Sequence, residues 1–540
     1  LSYEKFTNQG TGDVPSVDSD NRVNNATAAG AIDLDTQSLR TRVDYTFGDD
    51  LMLSYIGGLT DMSQSQMYGN EFQGDTRQTV SSGHEASSHE IQLKNSDDER
   101  FRWTAGLYMF EEENDIRFDM LHGSWGFTPQ DASTTLSSFQ QANRSTESQS
   151  AYVQGTFDVT EDVRLTAGLR YTNDERSDVG GRSIDCNYAQ GSGSFNVDFP
   201  NQAAIVADGG AGCFYRQIND MKDDWSNTTY LARAEWDLND DVMLFLSYAT
   251  GWKSGVLQDG QNSSATNTNV NPDVAGNSAL IQQPEENDSL ELGMKSSLLD
   301  GRMTLNANLF MMDYSDMQVT SAVIDPVTGS STLMKTNAGS ATIQGLEFTM
   351  HYAVSENGRL SLTGSMLDAT YDDYDGQETN FNSDDGKNWN DCAVGSIAGG
   401  CVDSLWDFSG NTLPNSPDLT LSLSYKHDFN LSDGTVLTPR IRMTYQDDTY
   451  LSHENRGNRP AGTYSATDPG ESNFDLQEAY TKIDVSLGYG NADGQWNAEM
   501  YVNNLTDEAI KQEMFIGGEQ TAFTWAPPRE AGIRFGYKFD

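Results

Sequence analysis

The chain has 540 residues, with 81 Asp and Glu against 33 Lys and Arg, a formal net charge of −48. That balance excludes nucleic acid as a partner, because binding phosphates requires a basic surface. Hydrophobic residues make up 36%, and no apolar run approaches the roughly 18–20 residues of a membrane-spanning helix, which excludes helical spans but not a membrane barrel. An aromatic content of 10%, with 49 Gly and only 13 Pro, separates it from disordered acidic chains.

Residue 1 is Leu, and LSYEKF already reads as a strand. No initiator Met, signal peptide or basic leader is visible, so the expectation is a mature product or a fragment that begins inside a fold. From there period 2 recurs along nearly the whole chain. In the clearest stretch, Met303, Leu305, Ala307, Leu309 and Met311 share one face; Arg302, Thr304, Asn306 and Asn308 share the other. Side chains on a strand alternate between faces, so such a segment is apolar on one side and polar on the other.

Eighteen such segments lie near 1–7, 38–47, 51–62, 87–96, 101–115, 145–158, 163–176, 227–238, 242–255, 286–298, 302–320, 336–354, 359–372, 418–429, 436–449, 480–490, 495–507 and 530–539. Short and long connections alternate between them. The short ones are acidic or Gly-containing, such as GDD at 48–50, LLDG at 298–301 and LSDG at 431–434. The long ones are rich in Gly, Asn, Ser and Asp and fall near 8–37, 63–86, 116–144, 177–226, 256–285, 321–335, 373–417, 450–479 and 508–529. An outer-membrane barrel places its short turns in the periplasm and its long loops outside. A soluble propeller also alternates, but no repeat of fixed length is visible. The fold predicted is therefore all-β: a transmembrane antiparallel barrel in the outer membrane of a Gram-negative cell.

Several blocks resemble the TonB-dependent outer-membrane receptors. They are PEENDSLELGMKSSLLDGRMTLNANLFMMDYSDMQV (284–319), TNAGSATIQGLEFTMHY (336–352), YVNNLTDE (501–508) and PPREAGIRFGYKF (527–539). FLSYATGWKSG (245–255) and LTAGLRYTNDER (165–176) look like the same family's text. The resemblance implies a 22-stranded barrel behind an N-terminal plug, so the 18 segments present would begin at the fifth strand, with plug and first strands missing. A native 18-stranded barrel is the rival. Each block also has a local reading. Asn337 and Gly339 ease the start of a downward strand. Gly345 permits close packing or a bend. Arg529 is expected to hold the last loop against carboxylates. Phe535, Tyr537 and Phe539 form an alternating aromatic end resembling the signal read by the barrel-assembly machinery, with Asp540 as a one-residue extension.

All four cysteines fall in the long loops. An even count, short separations and an oxidising envelope predict two disulfides, Cys186–Cys213 and Cys392–Cys401. The six His, at 84, 89, 122, 351, 427 and 453, form no HExxH or close metal pair and read as polar loop and strand residues. Acidic runs at 372–376 and 383–386 do not fit an EF-hand and read as solvated loop charge. No metal site and no cofactor is expected.

Arg164, Arg170, Arg233, Arg440, Arg442 and Arg534 fall on the predicted lumen face. They could guide an anionic chelate, or pair with lumenal carboxylates or a plug. Trp125, Phe127, Tyr188, Phe214, Tyr215, Trp252, Trp389 and Trp406 could stack on a ligand, and Trp252 equally suits a membrane-boundary girdle. No GxSxG, Walker loop or dinucleotide turn appears, so no enzyme is expected. The resemblance implies active transport of a scarce bulky solute energised through TonB, most commonly a ferric siderophore. Heme, cobalamin and oligosaccharide remain open as cargo. A passive porin, an adhesion barrel and an acidic secreted enzyme are the alternatives. The implied partners are outer-membrane lipid, the TonB complex through the plug, the assembly machinery and the solute itself.

Overall fold

The computed structural model describes residues 2–10, 30–48, 50–70, 76–96, 99–122, 135–187, 213–258, 281–324, 331–337, 339–377, 405–455, 475–517 and 520–539. Eighteen strands follow one another in a single antiparallel sheet. The first nine are β1 (Ser2–Gly10), β2 (Gly30–Phe47), β3 (Leu51–Asn70), β4 (Thr76–Asn95), β5 (Phe101–His122), β6 (Thr135–Asp158), β7 (Val163–Asn187), β8 (Cys213–Asn239) and β9 (Val242–Lys253). The rest are β10 (Glu285–Leu298), β11 (Met303–Ser315), β12 (Ser340–Ala353), β13 (Gly358–Asp373), β14 (Leu419–His427), β15 (Thr435–Gln446), β16 (Tyr480–Asn491), β17 (Trp496–Asn503) and β18 (Glu530–Tyr537). Phe429–Asn430 continues β14 beyond Asp428 and is the sheet's nineteenth member. Each strand pairs with its neighbours in sequence. Among the described residues β1 pairs only with β2, and β18 only with β17.

The alternation read from sequence becomes two chemically distinct walls. Leu292 and Leu309 are directly opposed and about half exposed, at 51% and 53%. Leu39, Val43, Leu107, Val153, Leu169, Leu246, Met366 and Ile441 are exposed in the same manner on their own strands. A continuous apolar outer wall is what a hydrocarbon surround requires. The opposite wall carries the ionic and polar residues.

The short turns reverse the chain through left-handed residues: Gly48 (φ 61°), Leu299–Asp300–Gly301 (57°, 56°, 76°), Gly434 (82°) and Gly494 (74°). Three of these four turns rely on a lone glycine, which takes positive φ without a Cβ penalty.

Aromatic–glycine pairs stiffen both walls. On the inner face Phe245 lies opposite Gly293 and Phe310 opposite Gly345, and on the outer face Phe348 lies opposite Gly364. Each ring covers the bare backbone across from it. At Gly345 an added Cβ would sit 2.4 Å from the Met366 carbonyl and 3.1 Å from the Phe310 ring, so close packing is the reason for that glycine.

All eighteen predicted segments are strands, but their outer ends differ from expectation. The region 177–226, expected to be loop, is strand at both ends: β7 continues to Asn187 and β8 begins at Cys213, giving strands of 25 and 27 residues. The reason is chemical. Beyond the membrane both faces are polar, so the alternation disappears while the backbone ladder continues. The segment 302–320 also breaks. Asp316 takes a left-handed φ of 52°, and Gln318–Ile324 then pairs with Ser331–Asn337 as a separate hairpin.

The two walls should respond oppositely to charge. Leu309→Arg on the outer wall is expected to destabilise the protein in lipid vesicles by about 2–4 kcal/mol. Asn306→Arg, on the inner wall of the same strand, should cost well under that. Urea titration of the two variants in the same vesicles checks the difference, and equal losses would refute the assignment of faces.

Candidate functional site

The inner wall divides into two levels. Near the short turns it is a seam of ion pairs. Arg102 donates to both oxygens of Asp158 at 2.6 and 2.5 Å. Arg164 is held by Asp237 at 2.5 Å and by Glu235 at 3.0 Å. Arg233 lies 3.1 Å from Glu235, with its guanidinium 4.2 Å from the Phe245 ring centroid. Arg534 approaches Glu499 at 3.6 Å and stacks on Tyr501. These side chains are partly solvated, so each pair contributes little to stability. The seam's larger effect is to neutralise cations that would otherwise line the lumen.

Higher on the wall Arg170 is placed between two rings, 5.6 Å from Tyr108 and 5.7 Å from Tyr152. Above it stands a group that sequence reading missed. Arg144 donates to Gln141 Oε1 at 3.2 Å, and Gln141 in turn donates to Asp178 at 2.7 Å. Arg176 donates through Nη2 to Ser254 Oγ at 3.0 Å, while its Nε has no hydrogen-bond partner. Ser254 begins a strap in which Val256–Leu257 pairs with Ile281–Gln282. Leu257 packs with Met221 and Trp225 of β8, and Trp252 and Ile281 lie against that cluster. Trp252 is thus engaged in packing at the strap.

On the other side of the mouth, a second apolar cluster of Tyr371, Tyr374, Phe408 and Leu413 sits under interlocked loop stems. His453 lies 5.0 Å from Phe408 and 5.4 Å from Tyr374, ring to ring. Burial pushes the Tyr371 phenol well above its usual range. Two asparagines bracket the stems reciprocally. Asn411 Nδ2 donates to the carbonyls of His453 and Glu454, at 3.0 and 3.2 Å. Asn455 exchanges both bonds with the Thr412 backbone, at 2.7 and 2.9 Å. Ser452 then ties to Asp475 at 2.7 Å, and Gln477 accepts from the Lys511 amide at 2.7 Å. Asn504, of the YVNNLTDE block, closes the chain by bonding both backbone groups of Glu508.

The remaining predicted residues are placed as follows. Arg442 donates to Ser422 at 3.3 Å. Arg440 is exposed, and neither it nor Arg442 has a carboxylate at ion-pair distance among the described residues. Arg529 differs from expectation. It holds the last loop by its backbone amide to Asp507 at 2.9 Å and its guanidinium to the Leu505 carbonyl, because the turn after Asn504 presents main chain there. Asn337 bridges its loop to the carbonyls of Gln283 and Asp316. Phe535, Tyr537 and Phe539 project from the outer wall beside the free edge of β18, with Phe539 89% exposed. Tyr215 pairs with Ile184 in the β7–β8 ladder, and Cys186 lies directly opposite Cys213. Phe214 and Trp406 are also strand positions. Trp125, Phe127, Tyr188, Trp389, Cys392 and Cys401 lie outside the described residues.

The sequence matches the family described as TonB dependent receptor-like, beta-barrel over residues 1–505. The chain belongs to that family. It is an outer-membrane receptor barrel, not an enzyme. Among solved structures it is similar to the ferric yersiniabactin uptake receptor FyuA from Yersinia pestis, with 17% identity and a TM-score of 0.64 over 95% of this chain and 62% of that one. It is similar to the siderophore receptor PiuA from Acinetobacter baumannii, with 15% identity and a TM-score of 0.63 over 99% and 70%. The pyoverdine receptor FpvA from Pseudomonas aeruginosa PAO1 shows 14% identity and a TM-score of 0.58 over 99% and 68%. The chain therefore spans about 62% of the length of the first of these, and such identities establish the fold alone. No curated protein matches.

The bracketed loop stems should behave as one body. Asn455→Ala removes a buried amide and leaves the Thr412 backbone groups unpaired, a loss of roughly 1–3 kcal/mol per group. Amide exchange should then accelerate together in 407–416 and 449–455. Acceleration confined to one stem would refute the coupling.

Proposed function

We propose that this chain is the barrel of an active transporter that imports a scarce, bulky iron complex of the siderophore type, energised through TonB. The observation that carries the reading is the family match over residues 1–505, in a barrel whose upper inner wall holds guanidinium donors beside the strap. The names of similar structures support the cargo class: a ferric yersiniabactin uptake receptor, a siderophore receptor and a pyoverdine receptor. In the intact protein a plug domain would fill the lumen and receive TonB, and the ion-pair seam would be the surface it slides against. A passive porin needs neither plug nor energy. Uptake of radiolabelled iron chelates by cells carrying the complete gene separates the two. Transport should vanish in a strain lacking TonB and on collapse of the proton gradient. Iron uptake that persists without TonB would favour the porin.

We also propose a disulfide between Cys186 and Cys213, and a second between Cys392 and Cys401. Opposed residues of an antiparallel pair have Cα atoms about 4.5–5.5 Å apart, within the span of a disulfide, and the register places Cys186 and Cys213 in that relation. Thiol titration of the denatured, unreduced protein should find no free sulfhydryl. Four free sulfhydryls would refute both bridges.

A further inference from the structure

We infer that the cargo is a neutral or cationic chelate rich in amide or hydroxamate groups, not a polyanion, and that it docks where the strap meets β7 and β8. The inference rests on the uptake reading above and narrows it.

With a net charge of −48, the protein repels polyanions at long range, and a concave mouth focuses that field. A receptor for a trianionic complex would need a cationic basin to offset this. Among the described residues around the strap the inner wall does not supply one: Arg440 and Arg442, which have no carboxylate partner there, lie on β15, and Arg170 is stacked between Tyr108 and Tyr152. Arg102, Arg164 and Arg233 are each held by carboxylates. Higher up, Arg144 reaches Asp178 through Gln141, and Arg176 lies two residues from Asp174 on the same face of β7. The surface a ligand meets is of mixed sign.

Gln282 is 3% exposed, yet neither its Nε2 nor its Oε1 has a partner. Four other buried carboxamides are engaged at both ends: Gln141 with Arg144 and Asp178, Asn455 with Thr412, Gln477 with Lys511 and Glu478, and Asn504 with Glu508. Asp174 Oδ1 and Arg176 Nε are likewise buried without a partner.

These groups belong to one patch. Asp174 is directly opposite Trp225 in the ladder. The Trp225 ring and the Gln282 carbonyl both close on Gly255, where an added Cβ would meet them at 2.4 and 2.3 Å. Ser254, next to Gly255, accepts from Arg176.

The patch thus offers one unused guanidinium donor, one unused carboxylate acceptor and one amide that wants both. A polyanion presents acceptors only. It would satisfy Arg176 and Gln282 Nε2, leave Gln282 Oε1 and Asp174 without donors, and repel Asp174. A ligand with N–H donors beside carbonyls answers all of them, and Trp225 supplies an apolar surface for its body. The strap that carries Gln282 is paired at only two positions per strand, and Gln318 and Asn337 bond to Ser254 and Gln283 at its base.

The test uses the intact receptor in detergent micelles, titrated with four ferric complexes and read by tryptophan fluorescence. They are a neutral cyclic trihydroxamate, a cationic linear trihydroxamate, a trianionic tris-catecholate and ferric dicitrate. The hydroxamates should bind at least about tenfold more tightly than either anion. Gln282→Leu should weaken hydroxamate binding roughly three- to tenfold. This variant removes an unmet polar group rather than a bond, so it should fold, as heat-dependent gel mobility would verify. Anions that bind as tightly as the hydroxamates overturn the ligand class. Hydroxamate affinity unchanged by Gln282→Leu overturns the site and leaves its polar groups as hydrated only. Binding of none of the four overturns the iron-uptake reading, and this inference falls with it.

Discussion

The constraint on which everything else depends is the backbone. Inside a bilayer no water is available to an N–H or C=O group, and each one left unpaired costs several kcal/mol. A chain without long apolar helical segments can meet that demand only through strand-to-strand ladders. The uninterrupted antiparallel order from β1 to β18 is the answer, with each strand bonded to its neighbours in sequence. Once the ladders are fixed, the pleat leaves two walls, and side chains have no third direction to take. Apolar residues that would form the core of a soluble protein are therefore the exposed ones here, and the described buried apolar clusters lie where the outer loops fold back.

That inversion explains why composition alone misleads. A hydrophobic content of 36% and a charge of −48 would not suit a membrane protein built of helices. In a barrel the apolar requirement is a single band on one face of each strand, while turns, outer strand extensions and lumen can all be polar. The acids then serve local structure. Asp433 shows how: its carboxylate takes the Thr435 amide at 3.0 Å and hydroxyl at 2.5 Å to close a turn. Those bonds hold the carboxyl below its ordinary range, the hydroxyl contributing most.

How much of this was legible in the sequence depends on whether a feature needs register. The apolar face of Arg302–Met311 requires only local alternation, so it could be read directly. Gly345 could be suspected, but its reason could not be known, because Phe310 and Met366 reach it only through cross-strand pairing. The outer extensions of β7 and β8 were invisible for a different reason. With no apolar surround on either side, nothing in the residue order marks them as strand. Arg529 shows the limit of pairing by charge: the structure offers it a carbonyl and offers its amide the carboxylate. Arg144, Arg176 and Gln282 come from three separate segments, and only the folded-in strap brings the last of them to the others.

The two sides of the mouth differ in how their buried carboxamides are answered. Between 405 and 527 the loop stems are joined by carboxamides: Asn455, Gln477 and Asn504 each bond at both ends, and Asn411 donates to two carbonyls. Asn455 and Asn504 also sit at left-handed φ, 45° and 49°, a conformation that asparagine tolerates better than most residues. Those positions combine a turn and a tie in one residue, so that side of the mouth keeps its shape without a ligand. At the strap the buried Gln282 carboxamide is unmet at both ends, and the ladder that carries it has two residues per strand. Buried polar groups in a settled framework are paired almost without exception. Gln282 departs from that rule at both ends of its amide, and a ligand with donors beside carbonyls would answer it.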